Sequence, residues 1–193
     1  MQTERQKEIV NAAMEIINAN GIQGLTIKNM ANRIGITEPA IYRHFENKID
    51  ILIAVLDLFK ENTERIFEGE MATKKSAIAK VEHLFNCHIS AFTESPNLVS
   101  IVFSEEIFRN EVILVAKIKE IIEKNHEILR AIISKGQVED EIRTDLTANQ
   151  LAIIIMGTLR LFVKKWQFAN FEYDLKAEGD SMCAALLLLI KKK

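Results

Sequence analysis

Apolar side chains recur along this chain at three- and four-residue intervals almost from end to end, the spacing that lines one face of an α-helix. Ile9, Ala12, Ala13, Ile16 and Ile17 form the first stripe and predict a helix over 3–20, which Gly21 closes with Ile22 placed to pack back on it. Ile27, Met30, Ala31 and Ile34 form a second, short stripe, capped by Thr26 and ended by Gly35. Glycine takes the left-handed backbone of such an ending without a Cβ penalty. A third helix begins two residues on. Thr37 is placed to cap it, Pro39 falls in its first turn, where a missing N–H is harmless, and Ala40, Ile41 and Phe45 form its inner side. Longer stripes follow over 49–68, 77–92, 97–108, 112–135, 148–168 and 173–191. Residues 71–76 read as a loop, and Gly136 with the run QVEDEIRTDLT as a surface connection ending in a cap at Thr147. The pattern predicts an all-α chain of about nine helices, and the few breakers, 2 prolines and 7 glycines in 193 residues, agree.

Within residues 26–48, TIKNMANRIGITEPAIYRHFENK, two short helices flank the sharp turn at Gly35, which is a helix-turn-helix in outline. Two short helices about a glycine also occur in all-α proteins that never meet nucleic acid. The surrounding residues add more. Residues 2–52 resemble the N-terminal domain of the tetracycline-repressor (TetR-like) family of bacterial transcription regulators, through the matching elements IVNAAMEIINANG, LTIKNMANRIGIT and AIYRHFENK and the apolar start of the next helix, IDILIAVL. That resemblance covers about a quarter of the chain. It implies a three-helix DNA-binding domain over 1–48 and a helical ligand-binding and dimerisation domain over 49–193, with 49–69 as a linking helix. It also implies a function, that of a homodimeric repressor of a pseudo-palindromic operator, released by a small apolar or amphipathic effector.

Carried onto matching positions, the resemblance implies Thr26, Lys28, Tyr42, His44 and Lys48 as DNA contacts. Thr26 and Lys48 stand at helix starts, where backbone N–H groups and the helix dipole favour a phosphate. Tyr42 and His44 offer hydroxyl and ring N–H donors that position a helix on backbone oxygens without reading sequence. Lys28 reaches a phosphate or a guanine edge, and Arg43 can read guanine. Thr37, Glu38, Pro39 and Ala40 open the second helix of the motif; Pro39 and Ala40 suit a thymine methyl, while Glu38 repels phosphate but can accept from a cytosine amino group. The plainer alternatives are that Tyr42 covers the core and that Lys28 and Arg43 are solvated surface charges.

Charge changes this picture only through its placement. The net charge is −2, which argues against a protein that coats nucleic acid indiscriminately. Residues 1–48 carry Arg5, Lys7, Lys28, Arg33, Arg43 and Lys48 against Glu4, Glu8, Glu15, Glu38 and Glu46, a net of +1 that leaves −3 for the remainder. The N-terminus, MQTERQKE, has no apolar signal core behind it, and the apolar run 182–190 is too short to span a bilayer. Cys87 and Cys183 form no CxxC pair. A reducing cytoplasm and no membrane partner are expected.

In the remainder, Phe85, His88, Phe92, Phe103, Phe108, Met156 and Trp166, with Phe168, lie on helices that in the resembled family enclose a small-molecule pocket; such residues also describe any core. The last two helices are apolar on more than one face, and a second copy of the chain is the simplest cover. Leu151, Ile155, Thr158, Leu159 and Phe162 on the first, with Ala184, Leu187 and Leu188 on the second, are the expected interface, and Gly157 is expected to permit close approach. The alternative is that these faces pack on the chain's own core. His83 and Cys87 in HxxxCH share a helical side and suit a soft metal, but His88 lies on another face and no fourth ligand is readable. Neither a metal nor a cofactor is expected. No nucleophile elbow, Walker A loop, dinucleotide fingerprint or HExxH occurs, so an enzyme is not expected. Two other functions fit. LRLFVKKWQF and SPNLVSIVFSEEIF resemble the nucleoid-occlusion branch of the same family, an architectural DNA-binding protein that contacts a division protein. A helical interaction protein whose head has lost DNA binding is the other, with Glu38 its one hint.

Overall fold

The computed structural model describes residues 3–104 and 111–192. Among them lie nine α-helices: α1 (Glu4–Asn20), α2 (Ile27–Ile34), α3 (Glu38–Tyr42), α4 (Lys48–Met71), α5 (Ala77–Glu94), α6 (Pro96–Val102), α7 (Val112–Val138), α8 (Ala148–Phe168) and α9 (Leu175–Ile190). A 3₁₀ turn, Ile22–Gly24, separates α1 from α2. No strand occurs among the described residues; a lone antiparallel bridge joins Ile142 to Lys191.

Short polar side chains start most of the helices by taking otherwise orphaned amides. Thr3 and Gln6 form a reciprocal capping box on α1, and Thr147 and Gln150 form another on α8. Thr26 accepts from the Asn29 amide at 3.1 Å, Ser76 from Ala79 at 3.2 Å, and Asp174 from Lys176 and Ala177 at 2.9 and 3.1 Å. Thr37 stands at the cap position of α3 but makes no side-chain cap bond, because the Ala40 amide goes to its carbonyl oxygen at 2.9 Å. Gly35 ends α2 in the left-handed region (φ 72°, ψ 33°), and the Gly35 and Ile36 amides both return to the Ala31 carbonyl.

Three boundaries move. α4 runs through Gly69 to Met71, since a lone glycine inside a well-packed helix is tolerated. α6 stops at Val102, so the helix expected over 97–108 is helical only in its first half among the described residues. α7 continues through Gly136 to Val138.

The chain forms two compact units, Met1–Glu61 with Pro96–Lys119 and Asn62–Ser95 with Glu120–Lys193. In the first, α1 packs on α2 and α6, and α2 on α3, around Ile9, Val10, Met30, Ile41, Leu52 and Ile101, all buried. In the second, α9 packs along α5 and against α8 around Leu84, Ile89, Phe92, Leu151, Trp166 and Leu186.

The segment after α7 lies largely at the surface, as its polar residues suggest, but it is anchored inward at one residue. Ile142 is fully buried. The Gln137 side chain donates to the Arg143 and Leu146 carbonyls at 2.8 Å each, and the Glu141 carboxylate accepts from the Ile78 amide at 3.3 Å. The Arg143 amide donates to the Ile190 carbonyl and the Lys192 amide to that of Glu141, both at 3.0 Å. Gly136 makes this closure possible: a Cβ there would lie 2.5 Å from the Ala77 Cβ and 2.8 Å from the Ile142 Cδ1. Gly136→Val is therefore expected to destabilise the protein by roughly 1–3 kcal/mol through overpacking, read as a lower urea midpoint at unchanged slope. An unaltered midpoint would mean that α5 and α7 move apart freely.

Candidate DNA interface and effector site

The two helices about Gly35 are held by their inner residues, Met30, Ala31 and Ile41, with Phe45 behind them. Ala40, expected among these, is only half-buried. Everything the sequence offered to DNA lies outward: Thr26, Lys28, Thr37, Glu38, Pro39, Arg43 and Lys48 are exposed, Tyr42 is 52% exposed, and His44 is half-buried. At the two helix starts offered to a phosphate, part of the amide supply is already taken. The Thr26 hydroxyl holds the Asn29 amide, and the Asn47 side chain, absent from the sequence reading, accepts from the Ile49 and Asp50 amides at 2.7 and 3.1 Å.

The cations of residues 1–48 fall into two sets. Arg33 pairs with Glu15 at 2.7 Å, Arg5 with Glu8 at 2.5 Å and Lys7 with Glu4 at 2.7 Å. Among the described residues Lys28, Arg43 and Lys48 have no such partner. The head's small positive charge is thereby concentrated on the motif and its flank, where Glu38 and Glu46 are the remaining carboxylates. The Arg33–Glu15 pair, between positions far apart in sequence, could not be read from charge counts.

The residues expected to line an effector pocket divide. Phe85 and Phe92 are buried in α5, and His88 sits between Phe67 at 5.3 Å, ring centre to ring centre, and Phe92 at 6.4 Å. Phe67 was not among the expected residues, although its place on α4 in register with the core stripe pointed to it. Trp166 belongs to a separate cluster at the α8–α9 corner. Its indole donates to the Tyr173 carbonyl at 2.9 Å and its ring meets Phe171 edge-on at 4.6 Å, which spends its polar group on structure. Met156 is half-buried, Phe168 is exposed beneath the Lys164 ammonium, and Phe103 belongs to the other compact unit. Phe108 lies outside the described residues.

His88 has a defined state. Its Nδ1 lies 3.0 Å from the Leu84 carbonyl, which can only accept, so Nδ1 carries the hydrogen. Burial pushes the imidazole below its ordinary value of 6.5, against a smaller upward pull from that hydrogen bond. The ring is neutral and its Nε2 is an acceptor.

His83 turns Nε2 to the buried Glu70 carboxylate at 3.4 Å, beside Lys75 at 3.2 Å, with the Cys87 sulfur 3.5 Å away. The described residues hold no group of three or more potential ligands placed to bind a metal ion. Burial and the Glu70 charge raise the Cys87 thiol, against Lys75; burial, with Glu82 and Asp180, raises that of Cys183 to about 11.

The expected interface on α8 needs correction. Leu151, Ile155 and Phe162 are buried in the chain's own core, at 1%, 4% and 9% exposure, because helical periodicity alone does not distinguish an inner from an outer apolar stripe. Thr158 and Leu159 are half-buried. The outer stripe of α8 is Ile154, Gly157, Leu161 and Phe168, with Ile153 beside it; on α9, Ala184, Leu188 and Leu189 are exposed and Leu187 half-buried. Among the described residues, nothing lies within 4 Å of a Cβ placed at Gly157.

An all-α chain with an exposed helix-turn-helix face and a separate helical body is the architecture of a one-component regulator. Residues 9–55 match the family of bacterial regulatory proteins called the tetR family, and residues 58–190 match the C-terminal region of YsiA-like proteins. The chain belongs to the TetR family of DNA-binding transcriptional regulators. It is 31% identical to the fatty acid metabolism regulator protein of Bacillus subtilis, over the whole of both chains. The crystal structure of the regulator FadR from Bacillus subtilis in complex with stearoyl-CoA is similar at 30% identity and a TM-score of 0.79, over 94% of this chain and 97% of that one. A nucleoid occlusion factor, SlmA of Vibrio campbellii, is 26% identical over 98% of this chain and 97% of its own. No helix among the described residues is long and apolar enough to cross a membrane.

The neutral His88 predicts acid sensitivity. Below pH 6.5 the unfolded chain binds a proton that the folded site resists, so its contribution is complete above that pH and is lost as pH falls. His88→Phe is expected to flatten the loss of stability between pH 7 and 5 by up to about 1.4 kcal/mol per pH unit. Parallel unfolding curves for the two proteins would show that the ring protonates freely in the fold.

Proposed function

We propose that this chain is a homodimeric repressor of a pseudo-palindromic operator, with residues 1–48 as its DNA-reading head, 49–69 as a linking helix and 49–193 as the effector-binding and dimerising body. The carrying observation is the concentration of unpaired Lys28, Arg43 and Lys48 beside exposed Tyr42, while Arg5, Lys7 and Arg33 are neutralised within the head. Thr26, Thr37, Glu38, Pro39, Ala40 and His44 complete the surface offered to the groove. The protein acts in the cytoplasm, binds rather than transforms its ligand, and needs no cofactor.

The effector in this reading is an acyl-CoA. Its support is the relatedness to the fatty acid metabolism regulator and the stearoyl-CoA complex of FadR. An amphipathic thioester also suits a helical body that sets aromatic side chains around a single neutral imidazole. Binding is expected to favour a spacing of the two heads that no longer fits the operator, and linkage then requires DNA to weaken acyl-CoA binding by the same factor.

Dimerisation is assigned to the outer stripe of α8, Ile154, Leu161 and Phe168, together with Ala184 and Leu188 on α9. An exposed apolar band on two successive helices suits an isologous contact between copies.

Genome-wide selection of bound fragments is expected to recover one or a few palindromic sites, lost in the Tyr42→Ala, Lys48→Ala double variant and released by palmitoyl- or stearoyl-CoA. In the wild type the logarithm of affinity should fall with the logarithm of salt by about 0.9 per phosphate neutralised, and less steeply in Lys28→Ala. Many scattered sites with no response to acyl-CoA would instead favour the architectural reading that the relation to SlmA supports. Retention of no duplex at low salt would overturn DNA binding by this head. Leu161→Glu with Leu188→Glu should sediment as a folded monomer that no longer holds the operator; a surviving dimer would move the interface elsewhere.

A further inference from the structure

α1 begins with a capping box in which one side chain has two uses. Gln6 Oε1 accepts from the Thr3 amide at 2.9 Å, and the Thr3 hydroxyl accepts from the Gln6 amide at 3.2 Å. Glutamate and glutamine close such a box equally well. Only glutamine brings an amide N–H as well, and here it is used: Gln6 Nε2 donates to the His44 carbonyl at 3.5 Å, across 38 positions of sequence. Because Oε1 is committed to Thr3, the side-chain amide has one orientation, with Nε2 toward His44. Burial agrees. Gln6 is half-buried, while Thr3, Glu4, Arg5, Lys7 and Glu8 around it are exposed.

The far end of this bond is the turn that leaves α3. That helix has five residues and no side-chain cap, too little to hold its own conformation. Ile41 and Phe45 are buried beneath it, and the Ile41 carbonyl takes the His44 and Phe45 amides at 2.9 and 3.1 Å. These contacts fix the depth of the turn. Apolar burial has no direction, however, and by itself leaves the turn free to roll about the line from Ile41 to Phe45. The bond from Gln6 opposes that roll, since a hydrogen bond weakens steeply as its angle departs from linear. On the outer side of the same turn Tyr42 and Arg43 are exposed and His44 is half-buried.

We propose that Gln6 is a positioning residue for sequence recognition, which acts through the His44 main chain and sets the angle at which Tyr42, Arg43 and His44 meet the groove. The proposal rests on the reading of those three residues as DNA contacts. Attraction to phosphate is tolerant of angle, whereas register on the duplex and hydrogen bonds to base edges are not. Loss of the Gln6 donor therefore falls on discrimination between sequences more than on affinity for duplex in general.

Two full-chain variants test this against two duplexes, the most enriched palindromic fragment from the genome-wide selection and a shuffled sequence of the same length. Gln6→Glu keeps the acceptor for the Thr3 amide and loses the donor. Its urea midpoint is expected to stay at the wild-type value while the ratio of palindrome to shuffled affinity falls about tenfold, one hydrogen bond being lost in each of two heads. The added negative charge weakens both duplexes alike and cancels in that ratio. Gln6→Lys keeps a donor and loses the acceptor, and is expected to show the reverse, a lower urea midpoint at the wild-type ratio. A role confined to the cap of α1 would move the midpoint alone. An unchanged ratio in Gln6→Glu, or an equal fall in both variants, would overturn the proposal and leave DNA binding by the head standing. Failure of the wild type to prefer the palindrome would overturn the reading of Tyr42, Arg43 and His44, and this proposal with it.

Discussion

The body is organised by a contact that a single missing side chain permits. At Gly136 the end of α7 lies against Ala77 and Ile142 so closely that a methyl group would have to displace them. The turn that follows then joins helices that are remote in sequence. Glu141 accepts from the Ile78 amide in the first turn of α5, Arg143 and Lys192 tie the turn to the end of α9, and Gln137 holds two carbonyls of the loop from within. Three helices are thus registered at one corner.

In the head the corresponding constraint is electrostatic. A net charge of +1 over 1–48 would give little attraction for a polyanion if it were evenly spread. Three ion pairs remove Arg5, Lys7 and Arg33 together with Glu4, Glu8 and Glu15, and leave Lys28, Arg43 and Lys48 against only Glu38 and Glu46 on the motif and its flank. Each of these surface pairs contributes little to stability. Their larger effect is on where charge remains available.

Helix positions were legible because the signals are local. The stripe Ile9, Ala12, Ala13, Ile16, Ile17, the turn at Gly35 and the cap at Thr147 each depend on neighbours within a few residues, and each appears as read. What was not legible depends on distant partners. Ile142 looked like part of a polar loop because nothing near it in sequence reveals the α7–α9 corner. Leu151, Ile155 and Phe162 looked like interface because both stripes of α8 are apolar, and only the packing of the body decides which of them turns inward. Of the residues offered to DNA, most are exposed while Ala40 and His44 are half-buried, and the capping role of Asn47 was masked by the charged lysine beside it.

The two cysteines have a practical consequence. Burial and nearby carboxylates hold both thiols in the protonated form at neutral pH, Cys183 the more firmly with its value near 11. Thiolate is the reactive species toward peroxides, maleimides and electrophilic lipids. Neither sulfur is therefore disposed to register oxidative or alkylating stress, and a cysteine placed at the exposed Val138, away from the α8 stripe, would outcompete both for a fluorophore or spin label without their prior removal.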